Sequence, residues 1–126
     1  MAGDKKLSPC PDSPNCVSSQ SEDLDHHIKP LAYTDSRSEA KDRLMSLLQS
    51  LPRVKVVIEE PDYIKAEFTS AVFSFVDDVE FYFSETEKII DVRSASRVGY
   101  YDFGVNRRRI EDIRTRFEQT HHPEQN

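Results

Sequence analysis

The side chains best equipped for chemistry gather near the end of the chain, in Val92-Arg93-Ser94-Ala95-Ser96-Arg97-Val98-Gly99-Tyr100-Tyr101-Asp102-Phe103-Gly104-Val105-Asn106-Arg107-Arg108-Arg109. After Lys88 every basic residue of the Lys/Arg pair is Arg. A guanidinium presents a rigid planar fork that grips a carboxylate or phosphate through two hydrogen bonds, which a Lys ammonium does not reproduce. The chemistry this block offers is recognition of anions, by a ligand site or by pairing within the fold. Arg107, Arg108 and Arg109 sit at an expected helix start, where free N–H groups make a ready anion site. Cations there oppose the helix macrodipole and need a reason to be present. Solvated Arg107 and Arg108, with Arg109 paired to an acidic sheet residue, is the alternative.

A second block, Cys10-Pro11-Asp12-Ser13-Pro14-Asn15-Cys16, places two thiols six positions apart in a turn-rich loop. Pro11 and Pro14 restrict the loop and Asn15 can turn it, so the two sulfurs are expected to approach closely enough to bridge under oxidation. A reducing cytoplasm would keep them free. Cys10, Cys16, His26 and His27 are also a zinc set by residue type, but their spacing matches no standard zinc pattern, and no metal is expected. Cys16 as a nucleophile with His26 as its base is a further arrangement, without an identifiable orienting residue. Ser18 and Ser19 lack a nucleophile elbow, and Gly99 and Gly104 are wrongly spaced for a phosphate loop. No cofactor is expected.

The elements that must position these groups follow from periodicity. Pro9, Pro11, Pro14 and Pro30 interrupt any helix, so residues 1–34 are expected to form an irregular arm packed on the domain. Ser36-Arg37-Ser38-Glu39 is a capping box, and Ala40, Leu44, Leu47, Leu48 and Leu51 then recur at helical spacing until Pro52. A helix is predicted over about 36–50. Val54 to Ile58, Ile64 to Phe68, Val79 to Phe83 and Ile90 to Val92 alternate apolar with polar residues, which predicts four strands in an antiparallel meander. Ile110, Ile113 and Phe117 form one stripe of a helix from about Asn106, read as its N-cap, to Gln119. The expected fold is α+β: a two-layer sandwich, with two helices on one face of a four-stranded sheet, spanning residues 35–120. Residues 121–126 are expected to fray.

Alternation puts Lys65, Glu67, Asp78, Glu80, Tyr82, Asp91, Arg93 and Arg97 on the sheet face away from the helices. Asp77 and Asp78 point to opposite faces, so they do not share a reacting centre. An Arg fork opposite two carboxylates predicts pairing of Arg93 or Arg97 with Glu67, Asp78 or Glu80, sheltered if the arm crosses this face. The candidate ligand-binding set is Glu67, Asp78, Glu80, Arg93, Arg97, Tyr100, Asp102, Asn106, Arg107 and Arg109, with His26 from the arm.

Composition narrows the classes. The chain has 126 residues, enough for one domain, and 37% hydrophobic content, enough for one modest core. A formal charge of −6 argues against a general nucleic-acid binder. The charge is uneven: residues 93–116 carry seven Arg against Asp102, Glu111 and Asp112. No apolar run is long enough to span a bilayer, and the N-terminus has no signal-peptide pattern, so the chain as given is expected to be cytoplasmic.

Taken together, Cys10-Pro11-x-Ser13-Pro14-Asn15-Cys16-Val17-Ser18-Ser19, His26-x-Ile28-x-Pro30, Ala66-Glu67-Phe68-Thr69-Ser70, Phe75-Val76-Asp77-Asp78-Val79-Glu80-Phe81 and the Val92–Arg107 block resemble a bacterial and plastid family catalogued as domain of unknown function 1499. The resemblance covers nearly the whole chain and implies no known reaction. Such families often carry export or lipid-anchor signals, so an exported or lumenal setting stands beside the cytoplasmic expectation. The leading expectation is a small non-catalytic binding or accessory module that recognises an anionic ligand or a protein partner through the Arg-rich surface. Its alternatives are an uncharacterised, hydrolytic enzyme using Cys16, His26 and the sheet carboxylates, and a purely structural role for the blocks.

Overall fold

A computed structural model describes residues 6–120. The frayed tail expected at 121–126, and the first five residues of the arm, lie outside that range. Helix α1 (Arg37–Ser50) starts as its capping box dictates: the Ser36 hydroxyl accepts from the Glu39 N–H at 3.0 Å, and the Glu39 carboxylate accepts from the Ser36 N–H at 3.1 Å. It ends at Leu51, which is extended because a residue before proline is barred from the α region.

The sheet has six antiparallel strands rather than four: β1 (Cys16–Ser18), β2 (Leu31–Ala32), β3 (Val54–Glu60), β4 (Tyr63–Thr69), β5 (Val76–Phe83) and β6 (Ile89–Ser96). The order is β1-β6-β5-β4-β3, with β2 also on β6. The meander β3 to β6 follows the predicted alternation. The two additional strands come from the arm, where runs of three and two residues between prolines carry no periodicity to read. β1 covers one half of the outer edge of β6 (Cys16↔Ala95) and β2 the other (Leu31↔Ile90). The arm therefore closes an edge that would otherwise be open to aggregation.

Helix α2 (Val105–Gln119) and α1 share one core with the inward face of the sheet, where Ile64, Val79, Phe81, Phe83, Ile90 and Val92 meet Leu44, Leu48, Ile110, Ile113 and Phe117. On the other face Leu7 packs with Tyr63 and Tyr82 in a small second cluster, so the arm crosses the polar side of the sheet.

The start of α2 departs from expectation. Gly104 is the N-cap, in the left-handed region at φ 81°, and Asn106 is a fully buried residue of the first turn. Gly104 has no side chain with which to cap. Asp102 takes over, its carboxylate accepting from the N–H of Gly104 at 2.8 Å and of Asn106 at 3.1 Å.

Two connections meet at one end of the sheet. The β4–β5 turn closes through Ser70 N–H donating to the Phe75 carbonyl, and Arg97 N–H donates to the Val76 carbonyl at 3.2 Å. The turn at 70–75 and the β6–α2 connection at 97–104 are thus neighbours.

Candidate functional site

On the polar sheet face, cross-strand register brings Glu67, Asp78 and Ala95 into line. Arg97, one turn of the pleat beyond Ala95, lays its fork over the row. Its Nε and Nη2 donate to the two oxygens of Asp78, each at 2.9 Å, and Nη2 also donates to Glu67 at 2.7 Å. The fork holds the Asp78 carboxyl below the usual carboxylate range, and the two carboxylates push Arg97 higher still. Arg93 stands 3.7 Å from Glu80 and donates to the Pro9 carbonyl of the arm at 3.2 Å, while its buried Nε has no partner among the described residues. Glu80 also accepts from the Tyr63 hydroxyl; burial, then that bond, raises the Tyr63 pKa. Glu67, Asp78, Glu80, Arg93 and Arg97 therefore come together.

Across the sheet, a second group forms around Asn106. Its amide donates to Asn15 O (3.2 Å), Ser96 Oγ (3.0 Å) and Asp102 Oδ2 (2.8 Å), and its oxygen accepts from Ser94 (2.6 Å) and Arg109 (2.6 Å). Arg109 completes the group by pairing with Asp77 at 2.7 Å and lying over the Phe68 ring. Burial opposes ionisation of Asp102, but the donors from Asn106 and Gly104 outweigh it and lower its pKa. The sequence assigned Asn106 a cap. Its actual role, joining β6, α2 and the Cys loop, rests on contacts across 91 residues that no local pattern encodes.

Arg107 donates to the carbonyls of His27 (2.8 Å) and Asp25 (3.1 Å), and Arg114 to those of Pro30 and Lys29, both at 2.8 Å. Loop carbonyls without a ladder partner need donors. The forks of Arg93, Arg107 and Arg114 supply them along the arm.

Cys10 and Cys16 form a disulfide with Cα atoms 5.7 Å apart, so neither thiol is free. His26 is buried, with Nδ1 2.9 Å from Asp23 and Nε2 2.9 Å from the Ser13 carbonyl. Both partners are acceptors. The bond to Asp23, then that to Ser13, raises the His26 pKa against the effect of burial, and the same contact lowers that of Asp23. The structure does not assemble Cys16 and His26 as nucleophile and base: the sulfur is bonded to Cys10 and the ring is engaged elsewhere. Asp23 was not picked out from sequence, although its three-residue spacing from His26 was a usable signal. Among the described residues, no three His, Cys, Asp or Glu side chains are placed to hold a metal. No helix among them is long and apolar enough to cross a membrane.

The remaining predicted residue, Tyr100, belongs to a different surface. It is exposed and meets Tyr101 edge-on at 4.8 Å, and Tyr101 stacks on Phe103 at 6.4 Å. On the neighbouring β4–β5 turn, Phe73 stacks on Phe75 at 5.5 Å, beside Val72. Phe103 is 86% and Phe73 71% exposed. Seven large apolar side chains (Val72, Phe73, Phe75, Val98, Tyr100, Tyr101 and Phe103), each more than half exposed, lie on these two adjoining loops. Elsewhere among the described residues only Leu24 is exposed to that degree. The signal in the sequence was the pair of Phe residues flanking a serine within a turn, where no periodicity demands them.

A disulfide-stapled α+β domain, with an antiparallel sheet between a two-helix layer and an arm, is the class that fold and site define. The chain belongs to the family described as protein of unknown function (DUF1499), whose model matches residues 6–117. No curated protein matches it.

Proposed function

We propose that this chain is a non-catalytic binding module that engages an anionic partner through the pole formed by the β4–β5 turn and the β6–α2 connection. The observation that carries this reading is the concentration of exposed aromatic side chains there. Leaving several large rings in water is unfavourable for a monomer, and contiguous exposed apolar patches mark interaction surfaces. In a chain whose formal charge is −6, this pole keeps Arg107 and Arg108 outside any ion pair among the described residues, while Arg97 is held by Asp78 and Glu67 and Arg109 by Asp77. That local excess supports an anionic partner.

The Arg-rich strand face serves the fold in this reading. The Arg97 fork is already filled by Asp78 and Glu67, and a ligand would have to displace them. The sulfur of Cys16 is bonded and both ring nitrogens of His26 are held, which supports binding over catalysis. The disulfide also favours an exported or lumenal setting, where such bonds persist, over a reducing cytoplasm.

The test is amide-shift mapping of labelled protein titrated with citrate, poly-glutamate and phosphatidylglycerol bicelles. The reading predicts shifts at residues 70–75 and 98–108 with at least one probe. Shifts confined to the strand face around Glu67 and Arg97, or none with any probe, would overturn it.

A further inference from the structure

We infer that the anionic partner at this pole is a lipid surface, with the loop aromatics entering the headgroup region and the Arg side chains meeting lipid phosphates. The inference rests on the proposed binding role of the pole and names its partner.

Three features favour a bilayer. First, the exposed rings sit on two adjoining loop tips rather than along a helix or a strand edge, so they project from one end of the domain. Tyr and Phe carry large apolar area at small entropic cost, and Tyr can keep its hydroxyl among headgroups. Second, the turn at 70–76, Ser70-Ala71-Val72-Phe73-Ser74-Phe75-Val76, contains no charged residue, so no ionised side chain in it resists leaving water. Positive charge comes from the adjoining helix start. Among the described residues Arg107 and Arg108 bond to backbone carbonyls, Arg108 donating to Phe103 O at 2.8 Å, and neither is ion-paired with a carboxylate. Third, the rest of the molecule is acidic. Residues 37–92 carry twelve Asp and Glu against seven Lys and Arg. An anionic bilayer repels that body and attracts only this end, which fixes one orientation.

The groove that flanks the same pole has an apolar wall of Leu51, Pro52, Val54, Phe68 and Val105, with Arg108 beside two groups already paired, Arg109 with Asp77 and Asp112 with Arg116. That arrangement suits the upper part of an acyl chain with its phosphate at the mouth.

Two substitutions isolate the surface. Phe73→Ser removes one ring. Phe103→Asn removes another and keeps a residue that tolerates the left-handed backbone found there, φ 54°. Cosedimentation of the full chain with phosphatidylglycerol vesicles, phosphatidylcholine vesicles and glycerol phosphate as a soluble competitor provides the readout. The expected result is partition onto phosphatidylglycerol vesicles, little onto phosphatidylcholine, and steep weakening with salt. Each variant should lose about tenfold in partition, the scale of one buried aromatic side chain, with an unchanged melting temperature. Glycerol phosphate should compete weakly, since it lacks an acyl region.

Three results would overturn the lipid assignment. Binding of glycerol phosphate without vesicle binding would make the ligand a free phosphate. Binding of poly-glutamate at the same pole without vesicle binding would make the partner an acidic protein. Concentration-dependent self-association relieved by Phe103→Asn would make it a second copy. The first two leave the proposed anionic-partner role standing; failure of every probe to bind at the pole removes both.

Discussion

Asp77 and Asp78 are adjacent in β5 and serve opposite faces of the sheet. Asp77 receives Arg109 from the helix layer at 2.7 Å, and Asp78 receives both nitrogens of the Arg97 fork at 2.9 Å. Two neighbouring carboxylates thus fasten α2 on one face of the sheet and the Arg97 fork at the end of β6 on the other. The pleat enforces this division, because successive side chains leave a strand in opposite directions.

The Asn106 group predicts a large effect from a small change. Asn106→Ala leaves Asn15 O, Ser94, Ser96 and Arg109 without the partner they share in a fully buried site. The expected loss is about 2–3 kcal/mol, the scale of unsatisfied buried polar groups. Denaturant unfolding of both proteins measures it. Asn106→Asp should not rescue, because it replaces the two amide N–H donors with a carboxylate facing the Asn15 carbonyl and Asp102.

The disulfide predicts a moderate effect. It joins residues six positions apart, so its loss should cost less than the ~3 kcal/mol expected for a fifteen-residue loop. Cys10→Ser with Cys16→Ser should fold and melt at a lower temperature. Mass measurement after alkylation, with and without reductant, should show two modifiable thiols only after reduction.

His26 predicts a defined pH dependence. Its folded pKa lies above the ordinary 6.5, so its contribution is complete below that value and disappears as pH rises through the raised folded value. The Asp23 pKa is lowered from 3.8, so its share persists down to acid pH and is lost as pH falls through the lowered value. The melting-temperature difference between wild type and His26→Gln should therefore be larger at pH 6 than at pH 9. A difference that is constant, or larger at pH 9, would contradict the ionised contact.

Much of this was legible in the sequence, and the gaps have physical causes. The Ser36–Glu39 box and the Ala40 to Leu48 stripe specify α1 locally, so they read directly. Alternation in β4, β5 and β6 fixes which side chains share a face, so pairing of Arg93 or Arg97 with Glu67, Asp78 or Glu80 was readable, whereas which Arg takes which carboxylate was not. β1 and β2 were not, because they exist only through pairing with β6 and have no period of their own. Asn106 resembles a cap from its position before an amphipathic stretch; the left-handed Gly104 and the Asp102 carboxylate displace it. The pole was half legible: Tyr100 and Asp102 stood out, whereas Phe73 and Phe75 lie between two alternating runs and belong to neither. The β5–β6 register, Asp77 opposite Ser96, and the contact of Arg97 N–H with Val76 O set their turn beside the Tyr100–Phe103 segment.

The central claim is that the Arg97 group holds the fold while the loop pole holds the partner. One paired measurement tests it most directly: melting temperature and phosphatidylglycerol vesicle partition for wild type, Arg97→Lys, Phe73→Ser and Phe103→Asn. Lys cannot reproduce the two-pronged contact with Asp78, so Arg97→Lys should melt lower and still bind. The two Phe variants should melt like wild type and lose binding. The reverse pattern, with Arg97→Lys abolishing binding at unchanged stability and the Phe variants binding normally, would contradict the account.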